Sequence, residues 1–377
     1  MKFNWVAGQE ATKEGLKKLV EEDKIPHALL MLGNEGVGQL ALSIAFAGYI
    51  LCRQRTTGDR CGLCPSCKKV DQLIHPDLHF SFPFVGSREV SDSFLKKWKN
   101  IVKETNGYFS YNDWMKALEV ENKQGNINKE ECTNILRKLS LKTFEGNKKI
   151  MIIWLPEYLG HEANRLLKLI EEPPDNTVFI LATENSEGIL PTILSRCQLF
   201  KLNPVQVDDV FNKLQLYYPE EQEGKLKTAA MRSEGRLSEA LKIVKQEADD
   251  LDVFFLDWFR KCYKGNGLEI VDWVELFVKY GREEQKRFFK YGLHFVRSLM
   301  LQFCGIEQLN TASEEEGNIF DKMIRNEIID FDKIDMISDL FSETIYSIER
   351  NANPKVLFLD VSITLNRILR TSKRSTA

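Results

Sequence analysis

The sequence lacks a strong excess of charge of either sign. It contains 52 Lys and Arg residues against 55 Asp and Glu residues, which gives a formal net charge of −3. A domain that binds a polyanion over a broad surface usually carries a clear excess of basic residues. This balance therefore excludes bulk charge as a means of binding nucleic acid, and any contact with DNA must be local or shared with partner chains.

Long apolar runs are also missing, as are internal repeats and low-complexity segments. A membrane-spanning helix needs about 20 consecutive, mostly apolar residues. We also find no signal-peptide pattern at the N-terminus. We therefore expect a cytoplasmic protein that does not contact membranes. With 377 residues and 43% apolar content, the chain can form two or three domains with substantial cores.

Residues 33–40 have the frame of a phosphate-binding loop, G-x-x-x-x-G-K-[ST], but lack its reactive groups. The glycines of this phosphate loop are Gly33, Gly36 and Gly38. Gln39 replaces the lysine that would neutralise phosphate oxygens, and Leu40 replaces the hydroxyl that would ligate Mg²⁺. An apolar strand pattern precedes the loop and a helix pattern follows it. Taken alone, this degenerate frame fits an ordinary glycine-rich turn about as well.

A second expected part of the same site is also degenerate. The apolar run at 149–155 predicts a buried strand, whose end should carry an acidic pair that holds Mg²⁺ and polarises water. Trp154 and Leu155 occupy those two positions, and neither side chain can bind a metal ion. Two losses at the two expected places indicate a fold derived from a nucleotide hydrolase. We expect that this chain neither hydrolyses ATP nor binds it productively.

Four cysteines follow the phosphate loop in a pattern typical of a structural zinc site. They are Cys52, Cys61, Cys64 and Cys67. Four thiolates complete a closed tetrahedral shell, and the two-residue spacings let neighbouring sulfurs reach one ion from a tight turn. Reduced thiols or two disulfides would use the same residues, although disulfides are rare in the cytosol. We expect zinc, with His75 or His79 as alternative ligands.

The order of predicted elements is α/β first and all-helical afterwards. Apolar patterns predict strands at 27–32, 150–155, 177–183 and 198–202. We predict an α/β domain at 1–204, a small helical domain at 205–247 and a helical bundle at 248–377. The first domain contains a zinc module at about 52–70 and an insertion at 86–148. The insertion has helical patterns at 91–105 and 111–121, lies partly outside the sheet, and has no role that the sequence assigns.

Several motifs together resemble the bacterial clamp-loader AAA+ family. They are the phosphate loop, the four cysteines, His75-Pro76-Asp77-Leu78, residues 163–174 (ANRLLKLIEEPP) and residues 190–198 (LPTILSRCQ). The match extends over roughly residues 25–200, and the later helices are compatible with the family's lid and collar domains. The resemblance implies a RecA-like AAA+ sheet at 1–204, a lid at 205–247 and an oligomerising collar at 248–377. The insertion departs from the family's shorter pattern.

The same resemblance implies roles for three further positions. Arg196, in Ser195-Arg196-Cys197, would reach into the ATP site of a neighbouring subunit and act there in trans. From the tripeptide alone, a surface arginine at a helix end would be the simpler interpretation. Thr183 matches a position that senses the γ-phosphate in active relatives and is expected to be structural here. In the lid, the nucleotide-sensing arginine would fall at Ser238, although the nearby Arg236 leaves that alignment open.

Three functional hypotheses follow. The first is a non-catalytic ring subunit of DNA polymerase III's clamp loader that contributes Arg196. Its implied partners are ATPase motor subunits of the gamma/tau type and a delta subunit in a hetero-pentameric ring, which places a sliding clamp on primer-template DNA. The second is a motor subunit of the same machine, which would need replacements for the lost lysine, hydroxyl and acidic pair. The third is a zinc-dependent DNA-binding module, although residues 52–85 have few basic residues and no clear array of aromatic side chains.

Overall fold

The computed structural model describes residues 1–56, 58–120, 123–245, 251–306 and 312–371. The chain divides into two compact units, residues 1–245 and 246–377. The predicted boundary at 204 lies inside the first unit, and the one at 247 lies outside the described residues. The division into three domains therefore stays a prediction.

The first unit contains a five-stranded parallel sheet. Its strands are β1 (Ala28–Leu32), β2 (Leu78–Ser81), β3 (Lys149–Trp154), β4 (Thr177–Thr183) and β5 (Gln198–Lys201). They lie in the order β2-β3-β4-β1-β5, and each neighbouring pair is parallel. Parallel strands covered on both faces have nearly continuous apolar sequences, which is why β1, β3 and β4 could be predicted. Only β2, with polar His79 and Ser81 in its four residues, was not predicted.

Alternate residues of the strands enter two separate cores. Leu29 and Met31 of β1 pack into the core on one face, while Ala28 and Leu30 pack into the core on the other.

The helices of this unit are α1 (Glu10–Glu21), α2 (Gln39–Leu51), α3 (Pro65–Asp71), α4 (Leu95–Thr105), α5 (Tyr111–Leu118), α6 (Lys129–Ser140), α7 (Asn164–Glu171), α8 (Pro191–Leu194), α9 (Val207–Tyr217), α10 (Glu223–Arg232) and α11 (Leu237–Lys245). Helix α2 is buried along its whole length, as expected of the helix after a phosphate loop.

The insertion contributes to both faces of the sheet. Trp98 of α4 and Trp114 of α5 join the core that contains α2. Ile135 and Leu139 of α6 join the opposite core. The insertion is therefore part of the crossover from β2 to β3, and α6 fills the place of an ordinary crossover helix. The expectation that the segment lies partly outside the sheet missed this packing, since α4, α5 and α6 all cover its faces.

The second unit is all-helical in its described residues. Its helices are α12 (Leu251–Lys264), α13 (Gly267–Phe277), α14 (Arg282–Phe303), α15 (Glu314–Arg325), α16 (Phe331–Glu349) and α17 (Pro354–Arg370). Their core is rich in aromatic rings, with Phe255, Trp258 and Phe288 at its centre. The helical bundle predicted at 248–377 is confirmed in the described residues. None of the helices in the described ranges is both long and apolar enough to cross a membrane.

Candidate functional site

The residues of the predicted nucleotide site lie at one edge of the sheet. The phosphate loop follows β1, Leu155 follows β3, and Thr183 ends β4. Because all strands are parallel, their carboxyl ends meet at this edge, where α/β proteins bind ligands. Backbone hydrogen bonds join the three segments, from Gly33 N to Thr183 O (3.2 Å) and from Leu155 N to Ala182 O (2.8 Å). The structure thus brings together the residues that the sequence assigned to this site.

The side-chain amide of Gln39 is hydrogen-bonded to the backbone of its own phosphate loop. Its Nε2 donates to the carbonyl oxygens of Gly33 and Asn34, the latter at 2.9 Å, and lies 3.4 Å from Thr183 O. The side chain is only 5% exposed. A lysine here would offer a positive charge to phosphate oxygens, whereas this amide is neutral and already hydrogen-bonded to the chain's own carbonyls.

Two side chains from distant parts of the unit crowd the loop. A Cβ placed on Gly38 would lie 2.8 Å from the phenol oxygen of Tyr108, and one placed on Gly36 would overlap Ser238 Oγ. Tyr108 belongs to the insertion, and Ser238 lies in the first turn of α11. Ser238 therefore faces the phosphate loop, at the position where the resemblance places a nucleotide-sensing arginine. Both contacts are made at glycines of the phosphate loop.

The position of the lost acidic pair is aromatic and buried. Trp154 is 3% exposed, and its ring lies 5.2 Å from that of Trp98 and 4.9 Å from that of Phe109, between centroids. Leu155 is also buried, with a left-handed backbone (φ 54°). An ionised carboxylate in such surroundings would be strongly destabilised without a partner. The packing therefore excludes a metal-binding acid at these two positions.

The carboxyl groups of Glu35, Glu157 and Glu184 lie near one another at the phosphate loop. Burial, together with the nearby Glu35 and Glu157, raises the pKa of Glu184 to about 8. Burial also raises the pKa of Glu157, whose Oε2 accepts a 2.9 Å hydrogen bond from Thr183 Oγ1. The Thr183 hydroxyl is thus engaged within the chain, as the structural role predicted for it requires. A carboxyl with a pKa of about 8 is mostly protonated at pH 7, so Glu184 adds little negative charge there. What the loop lacks, relative to an active site, is the cation that Gln39 replaces.

The four cysteines form one cluster. Cys52 directly follows α2 as its C-cap, Cys64 caps the N-terminus of α3, and Cys67 lies within α3. All four sulfurs lie within 4.8 Å of one another, with Cys52 and Cys61 at 3.6 Å and Cys61 and Cys67 at 3.8 Å. Tetrahedral Zn–S bonds of about 2.3 Å place sulfurs about 3.8 Å apart, so the arrangement fits zinc. The cysteines are free of disulfides.

Backbone N–H groups point at the sulfurs, as in zinc knuckles. The amides of Cys61, Cys64 and Cys67 donate to the preceding ligand sulfur, each at 3.4 Å. The amides of Cys64 and Leu63 lower the pKa of Cys61 to about 6, whereas burial raises the pKa of Cys67 to about 12. Zinc would supply the charge that keeps all four sulfurs as thiolates.

The proposed substitute ligands are wrong for this cluster. Neither His75 nor His79 belongs to the group of possible ligands found among the described residues. His75 Nδ1 instead accepts a 3.1 Å hydrogen bond from the amide of Asp77. His79 lies within β2. Burial lowers the pKa of both imidazoles.

The basic residues around the cysteines hold the module to its own chain. Arg60 is buried, and its guanidinium donates to Met1 O (2.7 Å) and pairs with Asp71. Arg53 donates to Glu145 O (2.7 Å), and Lys69 pairs with the Glu145 carboxylate. Side chains engaged in this way offer little free positive charge to a phosphate backbone.

Arg196 lies at the opposite edge of the sheet from the phosphate loop of the same chain. It precedes β5, whose first residue, Gln198, pairs with Leu29 near the start of β1, while the loop follows Leu32 at the end of β1. Its Nη1 donates to Thr192 O (2.7 Å), and the side chain is 36% exposed. Since a strand advances about 3.3 Å per residue, the length of β1 keeps this guanidinium from its own loop.

Sequence reasoning missed three residues that shape these sites. The role of Tyr108 could not be predicted, because the residue that it contacts, Gly38, is 70 positions away in the sequence. Glu157 lies just after the expected acidic pair. Asp77 accepts hydrogen bonds from the amides of residues 144–146 at 2.6 to 2.8 Å, a role that its place in the motif at 75–78 did not predict. The sequence offered one sign of this role, because Asp77 is an acid between Pro76 and the buried Leu78 that begins β2.

Comparisons with known proteins agree with this picture. A family model described as DNA polymerase III, delta subunit, matches residues 8–206. The chain is 28% identical over 218 residues to the DNA polymerase III subunit delta′ of Bacillus subtilis, covering 57% of this chain and 54% of that protein. It is 29% identical over 181 residues to the delta′ subunit of Escherichia coli, covering 47% and 42%. Identity to the tau subunit of Escherichia coli is 26% over 249 residues, covering 65% and 32%.

The chain spans about half or less of the length of these curated relatives. Among solved structures, a DNA polymerase III gamma subunit-related protein from Thermotoga maritima has a TM-score of 0.42 at 15% identity, over 95% of this chain and 100% of that one. The family model covers more than half of the 377 residues and includes the phosphate loop, the cysteines and Arg196. The chain therefore belongs to the DNA polymerase III delta subunit family.

Proposed function

We propose that this chain is a delta′-type subunit of a clamp loader, which does not hydrolyse ATP and supplies Arg196 to the ATP site of a neighbouring subunit. The observation that carries the proposal is the phosphate loop closed by its own Gln39, whose amide donates to loop carbonyls. A loop in this state lacks the lysine charge, the hydroxyl that ligates Mg²⁺ and room for a phosphate, while the fold that surrounds it is intact. Such a chain is suited to a structural place in a ring of related subunits.

The position of Arg196 supports action on a neighbour. The guanidinium lies at the edge of the sheet where β5 begins, away from the chain's own phosphate loop, and is partly exposed. A guanidinium presented in this way can meet phosphate oxygens of another subunit bidentately and stabilise the charge that develops during phosphoryl transfer. The second unit, an all-helical body, would form the collar contacts of the ring.

The motor subunit is the second candidate, favoured by the 65% of this chain that aligns with a tau subunit. That alignment reflects shared ancestry of the sheet, and the phosphate loop lacks the lysine and the hydroxyl that hold a bound triphosphate. The DNA-binding module is less supported, since Arg53, Arg60 and Lys69 are engaged inside the chain. The cysteine cluster then has a structural role, with zinc as its metal.

Reconstitution tests the proposed function. The full chain, purified with gamma/tau-type and delta subunits, should enter a stable complex that loads a sliding clamp on primed DNA. Arg196→Ala should still assemble, yet the ATP site bordering this subunit should lose about 10³-fold of its hydrolysis rate if Arg196 acts as an arginine finger. Failure of the chain to enter the complex, or full ATPase and loading activity with Arg196→Ala, would contradict the assignment.

A further inference from the structure

Three consecutive residues of the insertion cover three parts of the former nucleotide site. We call these residues, 107–109, the plug; they lie between α4 and α5. Gly107 lies on Ala41 in the first turn of α2, Tyr108 lies on Gly38, and Phe109 packs on Trp154. The plug therefore touches the helix start, the glycine loop and the strand end, which together form a phosphate-binding site in active relatives of this fold.

Gly107 allows the backbone of the plug to approach α2 closely. Its φ is +76°, and a Cβ on it would lie 3.2 Å from Ala41 Cα and 3.3 Å from Ala41 N. The first-turn amides of a helix have no partner within the helix and make the anion site of a phosphate loop. The plug backbone thus lies against the turn that would receive a phosphate.

Tyr108 joins the phosphate loop to the N-terminal segment. Its hydroxyl oxygen accepts a 2.9 Å hydrogen bond from the amide of Ala7, and the side chain is 3% exposed. Burial is the main cause that raises its pKa, and Tyr217 of α9 adds to the effect. The ring therefore lies between the loop, the N-terminal segment and the helices that follow the sheet.

The residues after the plug are fastened to α11. Asp113 accepts from the amide of Ser110 (2.9 Å) in a capping box at the start of α5, and the same carboxylate pairs with Lys242 of α11 at 2.8 Å. Ser238, one turn earlier on α11, lies against Gly36. The Asp113–Lys242 ion pair and the contact of Ser238 with Gly36 thus hold α11 next to the phosphate loop.

We propose that the plug takes the place of a nucleotide: it fills the phosphate site and, with the Asp113–Lys242 pair, holds helices α9–α11 closed on the sheet without ATP. A bound nucleotide would bridge the loop and these helices from the same place, and its absence would leave them free to open. The insertion makes the closed arrangement a permanent property of this chain. This inference concerns the chain alone and does not depend on its place in a ring.

Hydrogen exchange of the full-length protein, followed by mass spectrometry, tests whether the Asp113–Lys242 pair holds helices α9–α11 closed. Lys242→Ala should speed exchange in α9 and α11 up to about fivefold, as expected of a partly exposed ion pair, and leave β4 and α14 unchanged. Lys245→Ala removes the same charge from the same helix at an exposed position and is the matched control. Tyr108→Ala should speed exchange in α9, α11 and the phosphate loop. Equal exchange in Lys242→Ala and Lys245→Ala would overturn the proposal, and this comparison stands even if Tyr108→Ala fails to fold.

A restored loop tests whether the plug excludes nucleotide. The double variant Gln39→Lys, Leu40→Thr regains the lysine and the hydroxyl that the loop lacks, while Tyr108 stays in place. Calorimetry with Mg-ATP should detect no binding, because the plug occupies the phosphate site. Binding of Mg-ATP by this variant, with its folded state verified by circular dichroism, would show that the plug leaves the site accessible and would overturn the proposal.

Discussion

Arg196 and Glu171 form an ion pair on the surface of the first unit, with Nη2 of the arginine 2.6 Å from Oε1 of the glutamate. Glu171 is the last residue of α7, and Arg196 follows α8. The guanidinium also donates to Thr192 O, so its direction is fixed at two points. Both side chains are more than a third exposed, so the pair contributes at most about 1 kcal/mol and can be exchanged for another anion.

This pair predicts that Glu171 positions Arg196 for its proposed action in trans. Glu171→Gln should leave the stability of the free chain unchanged within about 1 kcal/mol. In the reconstituted complex it should lower ATP hydrolysis at the bordering site by up to about fivefold, since about 1 kcal/mol of positioning is lost. Single-turnover ATPase assays of the complex measure this effect. Glu172→Gln, at the neighbouring exposed residue, is the matched control and should hydrolyse ATP at the wild-type rate.

The identity of the basic side chain should also matter. Arg196→Lys should restore only part of the activity lost in Arg196→Ala, because an ammonium lacks the planar fork that meets two phosphate oxygens. Comparison of the two variants in the same complex measures the contribution of this geometry. Equal activity of Arg196→Lys and wild type would show that charge alone suffices.

The cysteine cluster predicts one zinc ion per chain. Elemental analysis of reduced, freshly purified protein should give this ratio, and Cys64→Ser should release the metal because a closed four-sulfur shell has lost a ligand. Amide exchange should then rise in residues 52–71 and stay unchanged in the second unit. Cys304→Ser, at an exposed cysteine of the second unit, should keep its zinc. Wild-type protein without metal would contradict this prediction.

The isolated chain should not bind Mg-ATP tightly. Gln39 leaves the loop without a cation, and its amide already donates to the carbonyl oxygens of Gly33 and Asn34. We expect a Kd weaker than about 1 mM, which corresponds to about −4 kcal/mol of binding free energy. Calorimetric titration measures it, with a gamma/tau-type motor subunit under the same conditions as the positive control. Micromolar affinity would refute the prediction.

Asp77 should make the first unit sensitive to acid. Burial acts to raise the pKa of Asp77, but hydrogen bonds from the amides of residues 144–146 hold it below its usual value. A carboxylate with a depressed pKa stabilises the fold above the pKa of the unfolded chain, about 3.9, and this stability is lost as the pH falls through the folded value.

Asp77→Asn should therefore cost roughly 1–3 kcal/mol of unfolding free energy at pH 7, because an amide cannot accept all three hydrogen bonds. The difference from wild type should begin to shrink below about pH 4, where the unfolded carboxyl binds a proton, and should vanish only below the lower pKa of the folded carboxyl. Denaturant unfolding at several pH values measures both effects. Asp175→Asn, at an exposed acid, should change stability little at any pH. A difference that stays constant with pH would contradict the charge-based explanation.

Local sequence determined much of this protein. The apolar runs of β1, β3 and β4 were sufficient to predict buried strands, because a strand covered on both faces needs apolar residues at every position. The losses at Gln39 and Leu40 could be recognised because a phosphate loop has a fixed spacing. The cysteine spacing predicted the cluster for the same reason, since sulfurs two residues apart can reach one ion from a turn.

Contacts between distant residues were decided only by the tertiary structure. Nothing near Tyr108 in the sequence indicates that its ring lies on Gly38, and nothing near Lys242 indicates its pairing with Asp113. Helix α6 escaped prediction because buried polar residues such as Glu131 interrupt its apolar face, and Glu131 is satisfied by Ser91, 40 residues earlier. Periodicity and motif spacing describe residues that are neighbours along the chain, whereas a filled nucleotide site depends on which surfaces meet when the chain packs, and packing is a property of the whole fold.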